Sequence, residues 1–165
     1  METIVLNKLQ ITQKLDRIAY EIVEETFNEP IIHLVGIQGN GILIVDMLAE
    51  RLSKITDQEI IRLSIKINKK NPLSEEITLS DKPKTLEEGV IILVDDVINS
   101  GKTMQHALLE LLKSPTKKVK TVALVDRRHR RYPIRCDFVG LTLSTTLQER
   151  IEVSLGKKTM AYLVE

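Results

Sequence analysis

At 165 residues, with 42% hydrophobic and 28% charged side chains, the chain is sized and composed for a single folded domain over residues 1–165, and disorder is not favoured. A net charge of +1 argues against strong non-specific nucleic-acid binding by the whole surface, though not against a local basic face. The lone cysteine, Cys136, closes no internal disulfide and supports no thiolate metal cluster; with no long apolar stretch and no leader peptide expected, the reading is a cytoplasmic protein with no membrane partner. Cys136 itself reads as a small buried residue in a strand.

Taken in order, Leu9, Ile11, Leu15, Ile18, Ala19, Ile22, Val23 and Phe27 recur at helical spacing and predict an amphipathic helix over residues 8–27, ended by Pro30. Ile31–Gly36 is a short apolar run, the first core strand. The glycine-rich turn Gly36-Ile37-Gln38-Gly39-Asn40-Gly41 then leads into a helix over residues 42–53. Residues 59–68 alternate as a strand. Residues 68–89 are polar, with Pro72 and Pro83, and read as a lid or a plain surface loop holding a short strand near 76–79.

Val90–Thr103 reads V-I-I-L-V-D-D-V-I-N-S-G-K-T. The unbroken apolar start predicts a strand buried on both faces, hence a parallel sheet. Asp95 and Asp96 end it, and Met104, Ala107, Leu108, Leu111 and Leu112 continue on one helical face. A strand–loop–helix of this kind places its loop at the carboxyl edge of an open sheet, where such sheets bind ligands. Amides at a helix start, the glycine at 101, two hydroxyls and Lys102 suit a phosphate. The adjacent carboxylates repel a phosphate and suit hydroxyls or a hydrated cation instead. A ribose 5-phosphate beside a metal satisfies both ends. A nucleoside-triphosphate P-loop is excluded, because its first glycine falls on Asp96; the dinucleotide fingerprint fails because Gly39 and Gly41 are followed by Ile44.

Beyond this motif, Lys118–Val125 reads as a strand whose end, Asp126-Arg127, reaches the same edge, and Asp137–Gly140 as another. Residues 150–155 and 159–164 alternate about Gly156-Lys157-Lys158 and predict a hairpin. His129 sits among cations and reads as surface.

Val90–Thr103 resembles the phosphoribosyl-diphosphate motif of type I phosphoribosyltransferases. Leu124–Gly140, L-V-D-R-R-H-R-R-Y-P-I-R-C-D-F-V-G, resembles L-V-D-R-G-H-R-E-L-P-I-R-A-D-Y-V-G of the bifunctional pyrimidine-operon attenuator and uracil phosphoribosyltransferase family. The resemblance implies an α/β fold, with a central mostly parallel sheet flanked by helices, a small hood and a flexible lid loop. It implies a pentosyltransferase that moves ribose 5-phosphate from phosphoribosyl diphosphate to a nucleobase, most simply uracil, and releases pyrophosphate.

On that resemblance, Asp95 and Asp96 are the catalytic acids and hold Mg2+ through water. Residues Asp95, Asp96, Val97, Ile98, Asn99, Ser100, Gly101, Lys102 and Thr103 bind the ribose 5-phosphate. Ile37, Gln38, Gly39, Asn40 and Gly41 form the pyrophosphate loop, in which a cis peptide often turns amides toward the ligand. Asp126, Arg127, Phe138 and Val139 are the base-binding candidates, with Phe138 equally readable as a core aromatic. The chain departs from the family at Gln38-Gly39-Asn40, where Lys-Thr-Arg is usual, and at Asn68-Lys69-Lys70-Asn71, where Tyr-Arg-Asp-Asp is usual. Lys69 and Lys70 either meet pyrophosphate or are solvated.

The same resemblance implies a homodimer or larger assembly, and RNA as an alternative partner. Arg127, Arg128, His129, Arg130, Arg131 and Arg135 form a basic cluster, and Arg17 matches a family position on the first helix, but Asp16 and Tyr20 replace the family's Thr and His beside it. Asp137-Phe138-Val139-Gly140 also looks like the D-F-V-G of hypoxanthine–guanine enzymes, so a purine phosphoribosyltransferase is a further alternative.

Overall fold

The computed structural model describes residues 1–165, which run β1 (Glu2–Leu6), α1 (Lys8–Thr26), β2 (Ile31–Ile37), α2 (Asn40–Ile55), β3 (Glu59–Lys66), β4 (Thr78–Leu79), β5 (Gly89–Ile98), α3 (Lys102–Leu111), β6 (Thr116–Asp126), β7 (Phe138–Thr142), β8 (Arg150–Ser154) and β9 (Met160–Val164). The apolar runs behave as unbroken apolar strands must. β2, β5 and β6 occupy the middle of a six-stranded sheet, order β4-β3-β2-β5-β6-β7, in which only β4 is antiparallel. Side chains alternate across it. Ile32, Leu34, Val90, Ile92 and Val94 face α1 and α2, while Val35, Ile37, Ile91 and Leu93 face α3 through Met104, Ala107 and Leu111.

α1 starts on a capping box. Asn7 Oδ1 accepts from the Gln10 amide and Gln10 Oε1 accepts from the Asn7 amide, both at 2.9 Å. Removal of such a cap costs about 0.5–2 kcal/mol. The helix then buries Ile11, Leu15, Ile18, Ala19 and Ile22 on one stripe. No helix is long and apolar enough to cross a membrane.

Three outcomes differ from the sequence reading. β5 does not stop before the acids. It runs through Asp95 and Asp96 to Ile98, because β6 continues to pair with it as far as Ile98 opposite Asp126. The second is a strand the periodicity did not show: β1, mostly exposed, pairs with β9 and completes an antiparallel sheet, order β1-β9-β8. This small sheet is the hood. Leu6, Ile151 and Ala161 tie it into the same core as the α1–α2 face of the main sheet. Cys136 lies in irregular chain, half-buried, rather than in a strand.

Residues 67–88 hold β4 against β3 and a short 3-10 turn at Lys84–Leu86. Leu86 is buried there, and buried His33 bonds Thr85 Oγ1 and the Val90 carbonyl at 3.0 Å each, which fastens the far end of the segment to the sheet.

Candidate active site

Two strand–helix turns meet at the carboxyl edge of the main sheet: β2 into α2, and β5 into α3. They are pressed together at Gly41. A Cβ there would stand 2.7 Å from the Val94 carbonyl oxygen, so only glycine allows this approach. The contact sets α2 beside Asp95 and opens a cavity of about 610 Å³ lined by residues 95–104 without a break, by Asn40 and Lys69, and by residues 151–153 of the hood.

The two acids are held differently. Asp95 is 4% exposed. Its Oδ1 accepts from the Asp96 amide at 2.9 Å and faces Lys69 Nζ at 3.3 Å. Burial, and then the negative charge of Asp96, push its carboxyl up to about 7, with Lys69 pulling the other way. Asp96 is half-buried, and both its oxygens are engaged: Oδ1 accepts from the Val97 amide at 2.8 Å and Oδ2 from Asn40 Nδ2 at 2.9 Å. Two like charges side by side, one of them desolvated, favour a cation or a pair of hydroxyls between them and solvent.

The turn after β5 is shaped for an anion. Gly101 has φ 84°, and a side chain there would collide with Ile134 Cγ2. The Ser100 carbonyl accepts from the Arg131 and Tyr132 amides at 2.8 and 3.1 Å, which pins the turn from outside the cavity. Ser100 Oγ accepts from the Lys102 amide at 3.2 Å, and the ladder of α3 begins only with Gln105 N to Gly101 O. The amides of Thr103 and Met104 therefore have no partner in the helix, and both residues line the cavity beside the Lys102 ammonium.

The other expected residues are placed less uniformly. Of the loop Ile37–Gly41, only Asn40 lines this cavity. Ile37 is buried in the α3-side core, and Gln38 is exposed and faces a separate groove with Ser64 and Ser80. The chain contains no cis peptide, so the loop is trans throughout. Lys69 reaches the acids while Lys70 is exposed.

None of the four base candidates lines the cavity. Phe138 packs among the core side chains of the α1–α2 face and presents no ring to the cavity. The carbonyls of Val139 and Gly140 accept from Arg17 Nη2 at 2.8 and 3.0 Å. Asp126 is paired with Arg130 at 2.9 Å. Arg127 is buried, and four of its five guanidinium N–H groups are engaged by Asn99 Oδ1, Thr145 Oγ1 and the carbonyls of Thr146 and Glu149; it clamps the chain before β8 onto the β5–α3 turn.

The wall that does face the acids is Ile151, Glu152 and Val153 of β8. These residues were missed because their alternation looks like that of any hairpin. β8 is an edge of the hood sheet, so one row of its backbone groups is open for hydrogen bonding.

A second open cavity, of about 630 Å³, shares Asn99 and Ser100 with the first and is lined by Arg127, His129, Arg130 and Arg131 with no acid among its lining residues. His129 is half-buried rather than surface, its Nε2 against the Thr145 carbonyl at 2.8 Å. Arg128 has φ 59° and its amide donates to Asp126 Oδ1 at 2.8 Å. Burial pushes the Cys136 thiol up to about 12, which leaves it an inert packing group.

Residues 2–154 match the family model described as phosphoribosyl transferase domain. The chain is 36% identical to the bifunctional protein PyrR of Bacillus cereus strain AH820, over 93% of this chain and 91% of that protein, and matches the PyrR of Bacillus thuringiensis subsp. konkukian to the same extent. Among solved structures, the hypoxanthine phosphoribosyltransferase of Trypanosoma cruzi superposes with a TM-score of 0.77 at 16% identity, covering 90% of this chain and 84% of that one. A hypoxanthine-guanine phosphoribosyltransferase of Bacillus anthracis gives 0.68 at 17% identity, covering 85% and 81%. At such identities the likeness is one of fold.

Proposed function

The chain belongs to the phosphoribosyl transferase domain family, a family of pentosyltransferases, and from that premise we propose that it transfers ribose 5-phosphate from phosphoribosyl diphosphate to uracil. One observation carries the reading: paired acids and an amide turn share one cavity with an open strand edge opposite them.

In the reaction the bond from the sugar C1 to the diphosphate oxygen breaks, a base nitrogen bonds to C1, and the proton that nitrogen carried leaves with the departing diphosphate. The sugar gains positive charge as the diphosphate gains negative charge. Asp95 and Asp96 grip the ribose hydroxyls and oppose the positive charge. The Ser100–Thr103 turn anchors the 5-phosphate, and that remote binding energy holds C1 in line with the base. The open edge of β8 hydrogen-bonds the base through the main-chain groups of Ile151 and the Val153 amide, and the side chains of Ile151 and Val153, on one side of the strand, cover one face of it. The amides at the start of α2, with Lys69 once it leaves Asp95, receive the diphosphate.

Two adjacent carboxylates, with no third carboxylate, imidazole or thiolate clustered near them, fit a Mg2+ bound mainly through water and substrate oxygens. When bound at Asp95 and Asp96 it would neutralise the departing diphosphate.

The test is magnesium-dependent diphosphate release from phosphoribosyl diphosphate with uracil, hypoxanthine, guanine, xanthine and adenine in turn. Release with uracil alone is expected. Release confined to a purine would leave the transferase reading standing and overturn the base.

The cationic second cavity favours a second reading, in which the 127–135 loop docks a pyrimidine-leader RNA. Arg17 lends it nothing, because its guanidinium is occupied by Glu21 and by the edge of β7. A salt-dependent gel shift with such an RNA tests it, and no binding at low salt removes it. The homodimer or larger assembly implied by the family resemblance is proposed alongside, with sedimentation as its check.

A further inference from the structure

We propose that Asn40 is a positioning residue for the hood, setting how far the open edge of β8 stands from the acid pair and thereby governing affinity for the acceptor base rather than for the diphosphate. The inference rests on the reading of the cavity given above and deepens it.

Asn40 is the first residue of α2, on the loop expected to hold pyrophosphate. Its side chain is spent elsewhere. Nδ2 donates to Asp96 Oδ2 at 2.9 Å and to the Val153 carbonyl at 2.8 Å. Both partners are acceptors, so the NH2 end must face them, and both of its hydrogens are used. No donor is left for a diphosphate, and the remaining amide oxygen would repel one. The family with which this chain shares its motifs usually has arginine at this place, whose longer cationic fork serves anions. The shorter neutral amide joins two protein acceptors instead.

Those acceptors belong to different sheets. Asp96 is on β5 of the main sheet and Val153 on β8 of the hood. No other hydrogen bond ties β8 to a residue outside its own sheet. The base must fit between β8 and the ribose held at the acids. A single amide therefore sets the width of the base slot, and it also orients the carboxylate that grips the sugar.

Asn40→Ala and Asn40→Asp in the full chain test this by steady-state diphosphate release, with the base that turns over and phosphoribosyl diphosphate varied separately. Asn40→Ala is expected to raise KM for the base about five- to tenfold, the loss of roughly one hydrogen bond, and to raise KM for phosphoribosyl diphosphate less, by about two- to threefold, because Asp96 loses one donor and keeps the Val97 amide. Asn40→Asp sets a third carboxylate against two acceptors and is expected to raise the base KM further. A rise confined to phosphoribosyl diphosphate, or equal for both substrates, overturns the proposal. Hydrogen–deuterium exchange supplies an arm independent of turnover: faster exchange across Ile151–Leu155 in Asn40→Ala supports the latch, and unchanged exchange overturns it. Should the wild-type protein release no diphosphate with any base, the transferase reading falls, while the exchange arm still decides the latch.

Discussion

The two strand–helix turns at the carboxyl edge share one topology and differ in what they deliver. The β5–α3 turn sends ten consecutive residues, 95–104, into the cavity. The β2–α2 turn sends one, Asn40, while Ile37 turns into the core and Gln38 faces another groove. The difference lies in how far each strand runs past their last shared pair, Gly36 with Val94. β5 runs on through Asp95 and Asp96 to Ile98, with β6 still paired to it and Ile98 buried in the core, so the acids are held on a rigid strand. β2 stops at Ile37, and its turn is short and tight. Equivalent positions in a doubly wound sheet are thus not equivalent sites. One turn presents a run of side chains and unpartnered amides to the cavity; the other presents a single side chain already in use.

The comparison is tested most strongly at the acids. Asp95→Asn with Asp96→Asn is expected to abolish diphosphate release, with each group worth roughly 10²–10³ in rate, while thermal unfolding still shows a cooperative fold. Unchanged turnover would remove the β5–α3 turn from the chemistry.

A pH dependence comes next. Asp95 titrates near 7 in the folded chain against an ordinary 3.8. The folded state therefore holds a proton that the unfolded state has released between those values. The associated stability is fully present below about pH 4 and is lost as pH rises through about 7. The effect is on the order of 2–4 kcal/mol, with Lys69 reducing it. Urea unfolding in EDTA from pH 4.5 to 8 should show wild-type protein losing stability relative to Asp95→Asn. Parallel curves for the two would mean that Asp95 is not desolvated beside Asp96.

Much of this architecture was legible because it depends on local pattern. Val90–Val94 could be read as a doubly buried strand from its lack of any polar face, and Asp95, Asp96 and Ser100–Thr103 could be read as a site because each residue type has a separate chemical reason to be there. The hood wall was not legible. Ile151, Glu152 and Val153 become a site only because β1, from the other end of the chain, pairs with β9 and sets β8 as an open edge over the acids. Phe138 and Arg127 lie away from the cavity of the acids for the opposite reason. Their residue types suit the task, but one sits on the inward face of β7 and the other spends four of its five donors on Asn99 and the 145–149 chain.

The glycines sharpen the contrast between the turns. Gly101→Ala forces a side chain onto φ 84° and into Ile134, and Gly41→Ala pushes a Cβ against the Val94 carbonyl. Each is expected to cost about 1–3 kcal/mol of stability. Their kinetic signatures should differ. Gly101→Ala distorts the anchor of the 5-phosphate and should raise KM for phosphoribosyl diphosphate, whereas Gly41→Ala moves Asn40 and should act on the base as well. Identical kinetic defects would mean that the two turns do not have separate tasks.

The smallest effect expected is at Arg128, just outside both turns. Its φ of 59° is one that a side chain adopts at a cost, and the related family motif has glycine there. Arg128→Gly removes that strain but returns freedom to the unfolded chain, so a net gain of only about 0.5 kcal/mol is expected. Diphosphate release should not change, because Arg128 does not line the cavity of the acids. RNA binding is the informative readout. Arg128 is exposed at the head of the cationic 127–131 run, and a strained residue persists where the surroundings or a task hold it. If the gel shift with pyrimidine-leader RNA weakens and its salt dependence drops by about one charge, the strain presents a phosphate contact. If affinity is unchanged while stability rises, the arginine at this position has no part in RNA binding.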